Sequence, residues 1–511
     1  MTALHDLGSI LAAVGIVVLL VAIPGVDPTV RRATGLGLTV LGWVFLLTTL
    51  VPESAGDRLT TPVGAGAGAA GLIVALGVGL VVAGLLARHP TVWFVLLAIA
   101  LPIRVPISVG DEQARLLVPL YAVIAIGVLA WVIARARRTV TEDADPATPL
   151  DLPVAAFAAF VLASGLWSAD PEQGAIRAVF FYVPFVLLYL AVVAWWPHAR
   201  ATAALATTTI IVAAPVAVLA LVQYATRDIF WNSTLQQANV YSAFFRVNAI
   251  FFDPNILGRF LVLAILVAVA VAWKARDPRL VAALWAVTAL LAAGLVPTFS
   301  RSSALMLLVG LGLLSWRGLG GRRTLAGGGA LVALIGVLAF STSAAVRDAT
   351  TSAERLEEVS EGRFGLVTGG LEIWREDPLL GAGLGGFETR FEETLTPSEQ
   401  RRIRVVVSHN TPVTVLSEEG LVGFALFIVL IVWTAVAMTR GAARVPDPGG
   451  WTIWSVQAIL AGVLVHSLLY AALFEDPFTW VLVGVGAAIA ATAPALATAT
   501  RPEPAAAVAG R

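Results

Sequence analysis

The sequence predicts an all-α polytopic integral membrane protein with about 12–15 transmembrane helices and a large, partly helical extracytoplasmic loop. Composition is the first reason, because 58% of the 511 residues are hydrophobic and 13% are charged, whereas soluble domains carry about 25% charged residues. The mean hydropathy of +0.87 is the second reason. The third is that apolar runs of about 20 residues, long enough for a helix to cross a bilayer, recur along nearly the whole chain.

Two groups of apolar runs are assigned as spans, separated by a charged segment at 135–150 that is predicted to be a linker. The first group lies near 7–25, 34–51, 63–87, 91–103 and 116–134. The second group lies near 151–167, 178–196, 202–222, 256–273, 280–297, 302–316, 325–341, 413–438, 452–474 and 477–496. The expected organisation is a single transmembrane domain over 1–498, followed by a Pro- and Ala-rich tail, 499–511, predicted to be disordered and cytoplasmic.

The distribution of basic residues predicts the orientation of the spans. One alternating set of short loops holds 15 basic residues, and the opposite set holds 8. Because cytoplasmic loops of membrane proteins are enriched in Lys and Arg, the first set is predicted to face the cytoplasm. The long polar loop 342–412 then faces outward, and loops of that length usually serve function.

Composition also excludes several function classes. The chain has no cysteine, which excludes disulfides, thiolate catalysis and Cys-ligated metals. Its formal net charge is zero and no basic patch has the clustering that nucleic-acid binding needs, so no nucleic-acid partner is expected. No group of His, Asp and Glu has the spacing of metal ligands, so neither a metal nor another cofactor is expected. The preference for Arg over Lys, with Lys274 as the single lysine, suggests a GC-rich bacterial genome.

Polar helix starts mark the outward ends of several spans. Asp253-Pro254, Ser300-Arg301, Thr411-Pro412 and Asp476-Pro477 each open an apolar run, and Asp or Thr at the N-cap followed by Pro is typical of a helix start. Helix starts direct unpaired N–H groups and a partial positive charge outward. If these starts converge, they form an anion site, to which Asn255 at one of them also belongs.

Arginines occupy the same predicted level. Arg246, Arg259 and Arg301 lie close to the helix starts, and Arg363 is able to reach them from the loop. Arginine remains charged and binds phosphate through a bidentate fork, so the expected ligand is a phosphate or pyrophosphate at the outer leaflet. An arginine at a span end is also typical of an interfacial anchor, and both Arg259 and Arg301 have this second interpretation.

The segment Ser408-His409-Asn410 closes the long loop where the next span begins. Histidine is suited to proton transfer because its ordinary pKa lies near neutrality, and the positive end of the helix favours the neutral ring. The loop 342–412 is therefore expected to carry a catalytic region around His409. The alternative is a histidine that only makes hydrogen bonds, and that structural role is assigned to His5, His89, His198 and His466.

The glycine-rich segment Gly381–Gly386 formally matches a dinucleotide-binding pattern. That interpretation requires a preceding strand in a βαβ unit, which the sequence lacks. A turn after an amphipathic helix at 362–376 is the prediction instead.

Taken in order, these motifs resemble the O-antigen ligase and polymerase superfamily. The run Thr298-Phe299-Ser300-Arg301 resembles the Ser-Arg motif of that family, and Glu361-Gly362-Arg363 with Asp377-Pro378 and Gly381–Gly383 is similar to the second half of its periplasmic loop. His409-Asn410, followed by Leu416, Glu418, Gly420, Leu421 and Gly423, is similar to its His-Asn block. Weaker similarity is seen at Trp167–Pro171 and Phe252–Asn255.

The resemblance implies a metal-independent membrane glycosyltransferase of GT-C-like architecture in the bacterial cytoplasmic membrane, with its active site facing outward. Its donor would be a glycan on polyprenyl pyrophosphate, and its acceptor a hydroxyl of a glycan, glycolipid or other molecule. His409 would be the base, with Arg301 and Arg363 on the pyrophosphate. Arg246, Arg259 and Asn255 would line the donor site, and Asn410 and Glu418 would orient the His segment.

Two other functions remain open at this stage. A repeat-unit polysaccharide polymerase of the same superfamily shares these motifs. A lipid or glycan transporter or flippase would be a different class, and it usually carries polar residues near the middle of several spans.

Overall fold

The computed structural model describes residues 2–50, 77–109, 112–137, 147–198, 200–241, 244–320, 363–395, 408–447 and 449–499. These residues form helices joined by short connections, with one small β-hairpin. The elements in chain order are α1 (Thr2–Leu20), α2 (Pro28–Thr49), α3 (Gly77–Leu86), α4 (Pro90–Ala100), β1 (Val105–Val109), β2 (Glu112–Leu116), α5 (Val118–Ala136), α6 (Asp151–Ser164), α7 (Pro171–Trp195), α8 (Ala201–Thr226), α9 (Ser233–Tyr241), α10 (Pro254–Lys274), α11 (Pro278–Leu295), α12 (Arg301–Leu319), α13 (Arg363–Glu376), α14 (Phe387–Thr394), α15 (Thr411–Arg444), α16 (Gly449–Ser467) and α17 (Pro477–Ala499).

The predicted class, an all-α polytopic membrane protein, is confirmed. Within the described ranges, ten helices are long and apolar enough to cross a membrane, and α3 with α4 adds a pair bent by 118°. Two further apolar helical segments, Asp151–Trp167 and Pro477–Ala491, are shorter than these ten and are not counted among them. The predicted span 325–341, most of loop 342–412 and the tail from 500 onward lie outside the described residues.

The β-hairpin is a local departure from the predicted loop between two spans. Strands β1 and β2 pair antiparallel, with Val105 opposite Leu116. In sequence they are separated by Gly110-Asp111, a dipeptide typical of two-residue hairpin turns. The signal for this hairpin was therefore present in the sequence, although the apolar runs on either side dominate the hydropathy.

Four helices begin at one end of the bundle, which we call the site face: α10, α12, α15 and α17. Hydrogen bonds and an ion pair join this end. Asn410 donates to the Leu468 carbonyl over 2.9 Å, and Arg259 pairs with Asp476 over 3.0 Å. The helix starts identified in the sequence therefore meet at one end of the bundle, which is the condition set for an anion site.

Helix α15 is broken at Gly420, whose φ of 61° is not helical. The turn after α13 pairs with the backbone groups that the break exposes. Ala382 and Gly383 donate to the carbonyls of Ser417 and Glu418 over 2.9 and 2.7 Å. On the other side of the break, the N–H groups of residues 421 and 422 donate to carbonyls of residues 378 and 379. An irregular segment is stable at membrane depth only when its polar groups are paired in this way.

This arrangement gives the glycine-rich segment its role. The predicted turn is confirmed, because α13 ends at Glu376 and the chain turns at once. Gly381, Gly383 and Gly385 have φ values of 70°, 80° and 81°. Glycine adopts this left-handed backbone without the cost that a Cβ would add. The segment therefore serves as a backbone clamp on α15 rather than as a nucleotide loop.

Candidate active site

The Ser-Arg motif forms the start of α12. Ser300 is the N-cap and accepts from the Ser303 N–H. Its hydroxyl also lies 3.1 Å from that of Ser302 and 2.8 Å from that of Ser303, and all three serines are buried. Arg301 is exposed at the first helical position. A rigid serine network thus holds an exposed arginine at a positively polarised helix start.

Arg246 is held beside this start. Its Nε donates to the Thr298 carbonyl over 2.9 Å, and one Nη donates to the Asn255 side chain over 3.1 Å. The Asn239 amide bonds both backbone groups of Arg246. Asn255 is buried and therefore acts here through Arg246. The structure brings Arg246, Asn255 and the Ser-Arg start together, as the sequence predicts.

Arg259 is placed one turn below the start of α10 and is 1% exposed. One Nη lies 3.0 Å from Asp476 and donates to the Ala472 carbonyl over 3.3 Å. Its guanidinium also lies 5.6 Å from the centre of the Tyr470 ring. Arg259 thus fixes the α16–α17 connection to α10.

His409 lies at the start of α15 in a left-handed conformation, with φ of 54°. The helix N-cap is Asn410 rather than the predicted Thr411, because its side chain accepts from the Val413 N–H over 3.0 Å. Ser408 donates to the Asn410 carbonyl over 2.8 Å. Asn410 therefore orients the His segment, anchoring it to α15 and, through Leu468, to α16.

Left-handed residues cluster at the site face. Among the described residues, the non-glycine positions with positive φ are Arg227, Ala249, Phe299 and His409. Each stands at the end or shortly before the start of a helix at this face. Such conformations cost about 1–2 kcal/mol per residue and concentrate at functional sites. The backbone at the site face is therefore held in place by its surroundings.

Tyr470 links the predicted catalytic groups. Its ring centre lies 6.0 Å from that of His409 and 5.8 Å from that of His466. His466 is fully buried, and its Nε2 lies 3.0 Å from the hydroxyl of Ser302. Burial raises the pKa of the Tyr470 phenol well above its ordinary value, so the phenol keeps its proton. The His segment and the Ser-Arg start are thereby connected through two side chains.

Glu418 is buried beneath the site in a salt bridge. The Nη1 of Arg177 lies 2.9 and 2.7 Å from its two carboxylate oxygens. The Phe387 N–H donates to the same carboxylate over 3.3 Å. Arg177 also approaches Glu475 at 3.6 Å. Glu418 thus supports the break in α15 and the glycine-rich turn from within the protein.

Arg363 is the first residue of α13, and its side chain lies outside the described part of the structure. The helix it opens packs against α15, where Gly370 contacts Val413. The role of Arg363 as a pyrophosphate ligand stays a prediction.

Sequence reasoning missed Arg104, Arg177 and Tyr470 and assigned His466 a structural role. Arg104 donates to the Leu101 carbonyl over 2.8 Å and lies 5.6 Å from the centre of the Phe251 ring. Burial lowers its pKa to about 10, so it remains charged at neutral pH. Arg177 carried a usable signal, since a charge within an apolar run requires a partner.

The described residues contain no group of three or more His, Asp or Glu side chains that could hold a metal ion. What the site offers is a histidine beside several helix starts, an exposed arginine and further arginines held in fixed positions. This combination suits proton transfer from a hydroxyl and the binding of an anion.

Comparison with known proteins agrees with this chemistry. Residues 286–428 match the model of a family described as O-antigen ligase. The match includes Arg301, Arg363, His409, Asn410 and Glu418, and it begins after the segment that holds Arg246 and Arg259. No curated protein matches the chain. The match over residues 286–428 supports a membrane protein of the O-antigen ligase superfamily with a ligase- or polymerase-type function.

Proposed function

We propose that this protein transfers a glycan from a polyprenyl-pyrophosphate lipid to an acceptor hydroxyl. One observation carries the proposal: His409 and the Ser300-Arg301 start lie at the same face and are connected through Tyr470 and His466. A proton acceptor and an anion-binding helix start are the two groups that this reaction requires.

The donor pyrophosphate binds at the start of α12. Arg301 is exposed there and supplies one positive charge to the phosphate oxygens. Arg246 adds a second positive charge, held by Thr298 and Asn255. The N–H groups at the start of α12 face the same space, and stabilisation of developing charge is commonly the largest catalytic contribution. Arg363 approaches from the loop in this proposal.

The acceptor reacts beside His409. Its hydroxyl oxygen attacks the anomeric carbon, and the hydroxyl proton moves to a ring nitrogen of His409. The bond from the anomeric carbon to the pyrophosphate oxygen breaks, and its electron pair leaves with the lipid pyrophosphate. A single displacement of this kind inverts the anomeric carbon. Because arginines neutralise the leaving group, the step needs no metal ion and no general acid.

The site face is the outward face of the bacterial cytoplasmic membrane in this proposal. The excess of basic residues in the loops of the opposite end supports this orientation. Lipid-linked glycans presented at the outer leaflet would then reach Arg301 from the bilayer.

The proposal is tested by mass spectrometry of polyprenyl-linked glycans in cells that carry His409→Ala, compared with wild type. Accumulation of long, multi-repeat glycans is expected if the protein is a ligase, because the inactive variant no longer transfers the glycan from its lipid donor. Accumulation of single repeat units would instead identify the polymerase. Wild-type turnover by purified His409→Ala or Arg301→Ala protein would refute the mechanism.

A further inference from the structure

An apolar cavity of about 400 Å³ lies between α8, α10, α16 and α17, away from the site face. Its wall includes Ala206, Leu263, Val267, Ile459 and Val481. The few polar groups in the wall are mainly hydroxyls and indoles. The Ser455 hydroxyl donates to the Trp451 carbonyl, and the Trp451 indole donates to the Ala270 carbonyl. Since these two groups are already paired and most of the wall is apolar, the cavity offers water little to bind.

The length of the cavity matches one leaflet of a bilayer. Along α10 its wall extends from Leu263 to Lys274, which is about 16 Å at the rise of an α-helix. Half of a hydrocarbon core of ~30 Å is about the same. The cavity therefore has the length of an extended acyl chain in the leaflet opposite the site face.

A positive charge stands at the end of the cavity that lies farthest from the site face. Lys274 lines it and is the single lysine of the chain. Its Nζ lies 2.8 Å from Asp447 and 5.0 Å from the centre of the Trp451 ring. Arg276 and Arg279 follow in sequence with Asp277 between them, and Arg317 also pairs with Asp447. The basic residues outnumber the acidic ones here, which suits the phosphate of a lipid headgroup.

We propose that this cavity binds one acyl chain of a phospholipid from the leaflet opposite the site face, with the phosphate of that lipid at Lys274. Apolar walls, one-leaflet length and a basic end that also carries Trp451 identify this ligand class. Tryptophan is enriched at the headgroup level of membranes. The site is distinct from the donor site, which lies at the opposite end of α10, and it does not depend on the proposed reaction.

Native mass spectrometry of the purified full-length protein tests the site. After delipidation in detergent, the protein is titrated with dioleoylphosphatidylglycerol, and bound lipid is counted. Wild type is expected to retain one lipid. Ala206→Trp fills the cavity, and this variant should lose most of the bound lipid. The matched control is Ile211→Trp on the same helix, where the side chain is 63% exposed and does not line the cavity; it should retain the lipid.

The phosphate is tested by comparing phosphatidylglycerol with dioleoylglycerol, which lacks it. Wild type should prefer the phospholipid about fivefold, the typical effect of one basic residue at a membrane surface. Lys274→Gln should lose that preference. Asp447→Asn breaks the same ion pair but leaves the lysine charged, and it should keep or increase the preference.

Several outcomes would overturn the proposal. These are equal retention by wild type and Ala206→Trp, no retained lipid in wild type, or displacement of the phospholipid by a polyprenyl phosphate. Equal effects of Lys274→Gln and Asp447→Asn would assign Lys274 to the ion pair alone. Thermal unfolding of each variant separates loss of lipid from loss of fold, and a second, smaller filling substitution, Ala206→Leu, covers the case in which tryptophan prevents folding.

Discussion

Removal of Arg177 should destabilise the protein strongly, because it leaves the Glu418 carboxylate buried without its cation. The two side chains are 9% and 5% exposed, and the guanidinium contacts both carboxylate oxygens. Breaking a buried pair by removing one partner costs about 3–5 kcal/mol. We therefore expect Arg177→Met to lower the free energy of unfolding by about that amount, measured by urea or thermal unfolding in detergent.

A double substitution separates the pair from its surroundings. Arg177→Met with Glu418→Met removes both charges, and it should recover much of the loss because neither member of the pair is left as an isolated buried charge, and Glu475 is partly exposed. The exposed pair Arg390–Glu393 is the matched control, since Arg390→Met should cost less than about 1 kcal/mol. The reasoning is refuted if Arg177→Met is no more destabilising than Arg390→Met, or if the double variant is as unstable as the sum of the single ones.

Four further predictions follow from the structure. Gly420→Ala should destabilise by more than about 1–2 kcal/mol in the same unfolding assay, because its φ is 61° and a Cβ would overlap the Leu379 carbonyl; wild-type stability would contradict the clamp. His466→Ala should lower glycan transfer by up to about 10²-fold through misplacement of Ser302, whereas His466→Gln, which keeps a side-chain hydrogen-bonding group there, should retain more activity and the wild-type pH profile. The hydrogen bond from Lys274 and the nearby Arg317 lower the pKa of Asp447, so this link stabilises the fold at neutral pH and is lost as the pH falls through that lowered value; a pH series of melting temperatures should show a step that Asp447→Asn lacks. EDTA should leave transfer unchanged, and a loss of activity that Mg²⁺ restores would refute metal-independent transfer.

Helix starts were predictable because their signal is local. Asp253 accepts from the Asn255 N–H, and Ser300 caps α12, as the N-cap rules require. One helix start was misplaced by a residue. The N-cap of α15 is Asn410 rather than the predicted Thr411, because Pro412 is tolerated at the second helical position as well as the first. Local rules therefore place a helix start to within about one residue.

Partners distant in sequence were not predictable. Arg177 and Glu418 are separated by 241 residues, and Ser302 and His466 by 164. One sequence carries the chemistry of each side chain but no information on which of them meet. For this reason the sequence identified His409 and Arg301 as candidate groups and missed Tyr470 and His466, which connect them.

The break in α15 explains why the glycine-rich turn and the His segment occur on the same helix. A continuous α15 would pair its own backbone groups at 417–422, and the backbone groups of residues 378, 379, 382 and 383 in the turn would lose their partners on α15. Because Gly420 interrupts the helix, the turn fixes the short segment from Thr411 to Glu419 against the rest of the bundle. His409 stands at the free end of that segment, where Asn410 and Tyr470 complete its support. The orientation of the proposed base thus depends on backbone hydrogen bonds about two helical turns away, and substitutions at Gly420 should reduce transfer as well as stability.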